Sequence, residues 1–248
     1  MNKITIICCW NNKKQYKMLL DSIAKQSSKV DIIGIDNSKQ TFKSCSAAFN
    51  NVIKSVNTKF MLFVHQDIIF SNTECIENIQ NYLEKIEYNS VLGLAGSSFD
   101  SPLMKTNVLI GANDTLCYGG SERVDGIIEC DTVDECIFGG YSSLFKKMEF
   151  DEYICNGWHF YAVEFCLRTK INGGKVYVCD VELIHNSLGN TDDSYNKTYR
   201  EICKKYNKYY KRLRTPCCYC SGTSFFARNI YYLRKMLGIR LRKLGIVR

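Results

Sequence analysis

The tightest constraint on this chain is a recurrence near its start: a short, continuously apolar run, a polar break, then apolar residues at helical spacing. Ile4–Cys9 is followed by Asn11–Lys14 and then by Tyr16, Met18, Leu19, Leu20 and Ile23 on one helical face. Val30–Ile35 ends at Asp36-Asn37-Ser38 and leads into a helix predicted over Phe42–Val56. Phe60–Val64 stops at His65-Gln66-Asp67 before a helix predicted over Thr73–Ile86, and Val91–Ala95 reads as a fourth strand. Unbroken apolar runs fit strands buried on both faces, and their alternation with helices predicts a Rossmann-like α/β fold, a mostly parallel sheet flanked by helices. Such sheets bind ligands beyond the carboxyl ends of their strands, where Cys9-Trp10-Asn11, Asp36-Asn37-Ser38 and His65-Gln66-Asp67 all fall. The chain carries neither a phosphate-loop motif nor a dinucleotide glycine fingerprint, so a glycine-rich phosphate cradle is excluded.

With 248 residues, two prolines and no Gly/Ser linker, the chain predicts one large domain with an appendage. The domain is expected over 1–200, with a nucleotide-binding half (1–95) and an acceptor half (96–200). In the latter, glycines interrupt short apolar stretches before a helix at Trp158–Ile171, a strand at Lys175–Val181 and the segment Leu183-Ile184-His185-Asn186-Ser187. The net charge of +8 is regional, concentrated between Lys204 and Arg248. From Phe225 these cations alternate with Phe, Ile, Tyr, Leu and Met, predicting over 201–248 a basic amphipathic helical tail too short and too charged to span a bilayer. A tail of this kind suits an anionic membrane surface; packing on the catalytic domain is the alternative. Nucleic acid is not expected, because no recognition motif accompanies the charge. Fourteen cysteines could suggest disulfides, but Cys8, Cys9, Cys136 and Cys179 sit inside apolar runs, as reduced buried thiols do. No signal peptide is recognised at the start, which predicts a cytoplasmic protein, peripheral on the inner face of the membrane. Cys217-Cys218-Tyr219-Cys220 lacks the second ligand pair of a structural zinc site.

His65 and Asp67, two residues apart after a buried strand, can face one cavity and grip a divalent cation; a polar turn closing the strand is the plainer alternative. The order of the segments adds more. Ile6-Ile7-Cys8-Cys9-Trp10-Asn11-Asn12, Ile35-Asp36-Asn37-Ser38, Ala47-Ala48-Phe49-Asn50 and Phe60 to Asp67 resemble, in order and spacing, the nucleotide half of family 2 glycosyltransferases. The likeness continues through Val133-Asp134-Glu135, Phe150-Asp151-Glu152, Gly157 to Leu167 and Ile184-His185-Asn186-Ser187, and His-Gln-Asp in place of Asp-x-Asp resembles a bacterial subgroup.

The resemblance implies a GT-A fold, a nucleotide-diphosphate sugar donor, most simply a UDP-sugar, and Mn²⁺ or Mg²⁺ at the Asp-x-Asp position. It places Asp67, His65 and His185 as metal ligands. Imidazole nitrogen favours Mn²⁺ over Mg²⁺. Cys9, Trp10 and Asn11 would line the base pocket, Asp36 would bond the base or ribose, and Asn50 and Gln66 would approach the nucleotide. Asp134 would stand near the donor sugar or acceptor. An inverting transfer needs a base for the acceptor hydroxyl. Family members carry it in a Glu-Asp pair at a helix start, where this chain has Tyr161-Ala162. Glu164 is the narrow first choice and His159 the second; with neither competent, the chain would be a catalytically silent donor-binding or scaffold protein. The expected reaction moves a sugar to a surface-glycan or polyprenyl-linked acceptor.

Overall fold

The computed structural model describes residues 2–112, 115–187, 193–217 and 219–243. The chain runs through β1 (Ile4–Trp10), α1 (Lys13–Ile23), β2 (Asp31–Asp36), α2 (Cys45–Ile53), β3 (Phe60–Val64), β4 (Ile68–Phe70), α3 (Cys75–Leu83), β5 (Val91–Gly93) and β6 (Ala95–Ser97). It continues through β7 (Met104–Thr106), β8 (Leu109–Ala112), β9 (Thr115–Tyr118), β10 (Ile127–Cys130), β11 (Thr132–Val133), β12 (Ile137–Tyr141), α4 (Ser142–Met148) and α5 (Tyr161–Ile171). The last elements are β13 (Val176–Cys179), β14 (Leu183–His185), α6 (Asp193–Lys205), β15 (Arg212–Arg214), β16 (Cys220–Gly222) and α7 (Phe225–Lys243).

A seven-stranded sheet in the order β10-β13-β5-β12-β3-β1-β2 forms the centre. β1, β2, β3, β5 and β13 point one way, and β12 and β10 run against them. The unbroken apolar character of β3 follows from its place in this sheet. Phe60, Leu62 and Val64 face a core shared with Leu19 and Ile23 of α1 and Ile76, Ile79 and Leu83 of α3. Met61 and Phe63 face the opposite core with Phe49 of α2 and Phe165 of α5. Burying both faces leaves no polar position in the strand.

The expected strand Val91–Ala95 is two strands. β5 lies in the central sheet, whereas β6 pairs with β7 and β11 in a smaller one. A third sheet has the order β4-β14-β8-β9. The predicted boundary at 200 falls inside α6, and α7 packs along α6 and against β16. Among the described residues no helix is long and apolar enough to cross a membrane.

Candidate active site

The topology assembles the site without any long-range coincidence of loops. β1, β2 and β3 are parallel, so Trp10, Asp36 and Val64 all end at one edge of the sheet. β12 runs the other way, with Ile137 opposite Val64, so the residues entering it, Asp134 and Glu135, arrive at that same edge. The His65 amide continues the ladder by donating to the Cys136 carbonyl at 2.9 Å. β14 pairs with β4 in a register that sets His185 opposite Ile68, and the Asn186 amide donates to the Asp67 carbonyl at 2.9 Å. His185 is thereby fixed beside Asp67.

A cavity of about 930 Å³ opens at this edge, the scale of a small-molecule or cofactor pocket. At its floor His65, Asp67 and His185 offer ligand atoms all within 4.8 Å of one another. His185 Nε2 lies 3.2 Å from Asp67 Oδ1. Burial lowers the pKa of His65 and outweighs the opposing pull of Asp67. Its Nε2 sits 3.0 Å from Tyr161 Oη, which orients the ring from α5 and leaves the other nitrogen for a ligand. Burial works to raise the Asp67 carboxyl, but the contact with His185 and the field of His65 outweigh it and hold the group below its usual range. Asp134 follows the same pattern: burial raises it, while the Cys136 amide and both histidines bring it down. Two imidazoles and one ionised carboxylate on a partly buried floor fit a divalent ion of intermediate softness.

The opposite end of the cavity is aromatic. Trp10 stacks on Tyr16 with ring centroids 5.0 Å apart and planes 6° from parallel. Tyr16 can lie there because residue 34 is glycine: a Cβ on Gly34 would sit 2.0 Å from Tyr16 Oη. Asn12 caps α1, its side chain accepting the Lys14 and Gln15 amides. Gln66 lines the cavity, but its Oε1 accepts the Asn11 and Asn12 amides at 2.9 Å each, so it also clamps the His-Gln-Asp turn to the start of α1.

Cys9, Trp10, Asn11, His65, Gln66, Asp67, Asp134, His159 and His185 therefore meet around one cavity. Three other expected residues do not. Asp36 stands exposed outside the lining, its Oδ1 accepting the Ser38 amide at 2.8 Å; its neighbour Asn37 lines the cavity instead. Asn50 is consumed by the Phe150 backbone, donating to its carbonyl and accepting from its amide at 2.9 Å each, and it also bonds Glu152. Glu164, the first choice of base, is fully buried and away from the cavity. It accepts from Arg168, from Lys205 Nζ at 2.6 Å and from Tyr206 Oη at 2.5 Å, which leaves it no room for an acceptor. Helix α5 begins at Tyr161 because Phe160 takes a left-handed conformation (φ 66°), and Ala162 is buried in the core.

Glu135 is a lining residue to which the sequence assigned no role. The acidic pair Asp134-Glu135 directly before the apolar Cys136-Ile137-Phe138 run was its only signal. Cys217 also reaches the site, with Sγ 3.2 Å from Asp134 Oδ2; Cys218 lies outside the described residues.

Comparisons with known proteins agree with this architecture. The chain is 22% identical over 209 residues to "ATP synthase subunits region ORF 6" of Fuscovulum blasticum, covering 80% of this chain and 81% of that one. It is 26% identical over 153 residues to Beta-1,4 N-acetylgalactosaminyltransferase 2 of Mus musculus, covering 54% of this chain but 30% of the mouse protein. S. aureus TarS 1-349, solved with UDP-GlcNAc, superposes with a TM-score of 0.55 at 15% identity, over 82% of this chain and 66% of TarS. GalNAc-T7, solved with UDP, GalNAc and Mn²⁺, superposes at 0.62 with 7% identity, over 85% of this chain and 49% of that protein. The chain thus spans two thirds or less of these solved structures, and what it shares with them is the GT-A fold. Residues 5–210 match the family described as "Glycosyltransferase like family", and the chain belongs to that family of glycosyltransferases.

Proposed function

We propose that the protein is an inverting, metal-dependent glycosyltransferase that takes a sugar from a nucleotide diphosphate, most simply UDP, and passes it to a hydroxyl of a surface-glycan or lipid-linked acceptor. The observation that carries this reading is the His65, Asp67 and His185 cluster, three ligand atoms within 4.8 Å on the floor of the cavity. In this reading His65-Gln66-Asp67 stands where Asp-x-Asp stands in the wider family, with Mn²⁺ the better match to two imidazoles. A bound ion would neutralise charge gathering on the departing diphosphate. The chain's own residues do the rest. Trp10, held flat by Tyr16, offers a stacking face for the base, and Asn11 and Asn37 offer polar edges beside it. Gln66 keeps the ligand turn in place, and Asp134 adds a carboxylate to the cavity wall within the field of both histidines. Bound UDP or UDP-sugar in the solved TarS and GalNAc-T7 favours UDP as the first donor to test.

Titration calorimetry of UDP and of GDP, each with and without Mn²⁺, tests the reading. Mn²⁺-dependent UDP binding that disappears in Asp67→Ala is the expected result; no binding of either nucleotide refutes it.

A membrane-side acceptor is favoured by one further observation. Phe226, Ile230, Leu233 and Leu237 recur at four- and three-residue spacing along α7 and are all exposed. The helix contains no acidic residue, and Arg234 and Arg240 flank the stripe. A second copy of such a helix would be repelled, whereas an anionic lipid surface would receive both the stripe and the cations. The competing reading, a silent donor-binding subunit, rests on Ala162 at the place of the family's acid.

A further inference from the structure

Two glutamates of this domain are buried, and their surroundings differ in kind. Glu164 is 0% exposed and meets two cations, Arg168 and Lys205. Glu135 is 7% exposed and lines the cavity, and its Oε1 makes no hydrogen bond. The titratable groups that face it come from every neighbouring element: Asp134 beside it, Cys45 of α2, Cys155 before α5, Tyr161 of α5, Tyr195 of α6 and Cys217 after β15. None is a cation. The amides of Phe160 and Tyr161, where the left-handed Phe160 starts α5, are its only stabilising influence among the described residues.

A buried carboxyl with an unpartnered oxygen and no counter-ion, on a residue that lines the cavity, is costly, and such cost persists where function requires it. Asp134 is already engaged by the Cys136 amide and by Cys217. His159 also lines the cavity, but its ring packs against Tyr195 at 4.4 Å. Resting on the glycosyltransferase reading above, we infer that Glu135 is the catalytic base, standing in for the acid that Ala162 lacks. An acceptor hydroxyl oxygen forms its bond to the anomeric carbon as its proton passes to the Glu135 carboxylate. The bond from that carbon to the diphosphate oxygen breaks, and its electron pair leaves with the nucleotide. The proton is returned to solvent after product release. Burial, reinforced by the Asp134 charge, holds the Glu135 carboxyl well above its ordinary range, which makes its ionised form a stronger base than an exposed carboxylate.

The test compares the full chain with Glu135→Gln and Glu135→Asp, using UDP-N-acetylglucosamine and UDP-N-acetylgalactosamine with Mn²⁺ and water as the acceptor. UDP release reads turnover and calorimetry reads UDP binding. The expected result is Glu135→Gln binding UDP within about twofold of wild type while turnover falls roughly 10²–10⁴-fold, with Glu135→Asp retaining part of it. Wild-type turnover should fall with decreasing pH through a pKa above the usual carboxylate range, and that limb should be missing in Glu135→Gln. Stability supplies an independent readout. An acid whose folded pKa is raised binds more protons folded than unfolded, so its contribution worsens as pH rises from the unfolded value. Glu135→Gln should therefore match or exceed wild-type thermal stability at neutral pH, with the gap closing near pH 4.5.

Unchanged turnover in Glu135→Gln overturns the inference, as does joint loss of UDP binding and folding stability, which would make the residue structural. A wild type that binds UDP with Mn²⁺ yet releases none from either donor also overturns it, while leaving the donor site standing. Absence of wild-type UDP binding refutes the glycosyltransferase reading itself.

Discussion

Replacing Glu164 by alanine should damage stability far more than chemistry. The carboxylate accepts from Arg168 Nε at 2.9 and 3.1 Å, from Lys205 Nζ at 2.6 Å and from Tyr206 Oη at 2.5 Å. Removing one partner of a buried ion pair costs about 3–5 kcal/mol when the remaining charge is stranded. Neither cation is fully stranded here. Arg168 keeps the Met148 and Glu149 carbonyls at 2.6 and 2.7 Å, and Lys205 keeps Asp151 at 2.6 Å. The Tyr206 hydroxyl, buried and deprived of its acceptor, adds a desolvation cost of about 1–3 kcal/mol. With neither cation stranded the ion-pair part falls below that range, to about 1–2 kcal/mol, and with the hydroxyl the loss is about 3 kcal/mol in all. For a chain of 248 residues that corresponds to a fall in Tm of about 6–12 °C. Differential scanning calorimetry measures it, and UDP binding below the transition should be preserved. An unchanged Tm accompanied by lost donor turnover would refute the argument and restore Glu164 as the base.

Three further outcomes follow from other parts of the molecule. Asp67→Ala should weaken Mn²⁺-dependent UDP binding by at least about tenfold, since one of three ligands is gone; calorimetry in the presence and absence of Mn²⁺ checks that metal-free binding is unaffected. Trp10→Ala should lose about 1–3 kcal/mol of nucleotide affinity by analogy with base stacking on aromatic side chains, measured as the ratio of UDP to inorganic diphosphate binding. Replacing Phe226, Ile230 and Leu233 together by serine should abolish flotation with phosphatidylglycerol vesicles while leaving UDP binding intact; equal flotation of the variant would remove the membrane role of α7.

Much of the central sheet was legible because its strands are buried on both faces. Phe60–Val64 ends in the structure where the apolar run ends, and the next residue opens the ligand turn. Helix starts were less legible where a capping device overrode periodicity. The expected start at Phe42 gives way to Cys45, because Asn37 bonds both the amide and the carbonyl of Phe42 and Ser44 then caps the helix through the Ala47 amide. The expected start at Trp158 gives way to Tyr161, after the left-handed Phe160. The local sequence marked only part of the difference between Glu164 and Glu135: Arg168, four residues on, is a partner of Glu164. Whether a glutamate is neutralised or left bare depends on Lys205 and Tyr206, which approach from a helix and turn more than forty residues downstream.

The contact between Gly34 and Tyr16 ties the fate of one position to another. Alanine at 34 alone must push the Tyr16 ring aside and so tilt the platform beneath Trp10, yet once residue 16 is small the added methyl meets little but the edge of Trp10 Nε1, 3.3 Å away. The two substitutions are therefore coupled: Gly34→Ala harms nucleotide binding in the native background and does so much less after Tyr16→Ala. The floor of the base pocket is therefore set jointly by positions 16 and 34, and neither can be varied there without reference to the other.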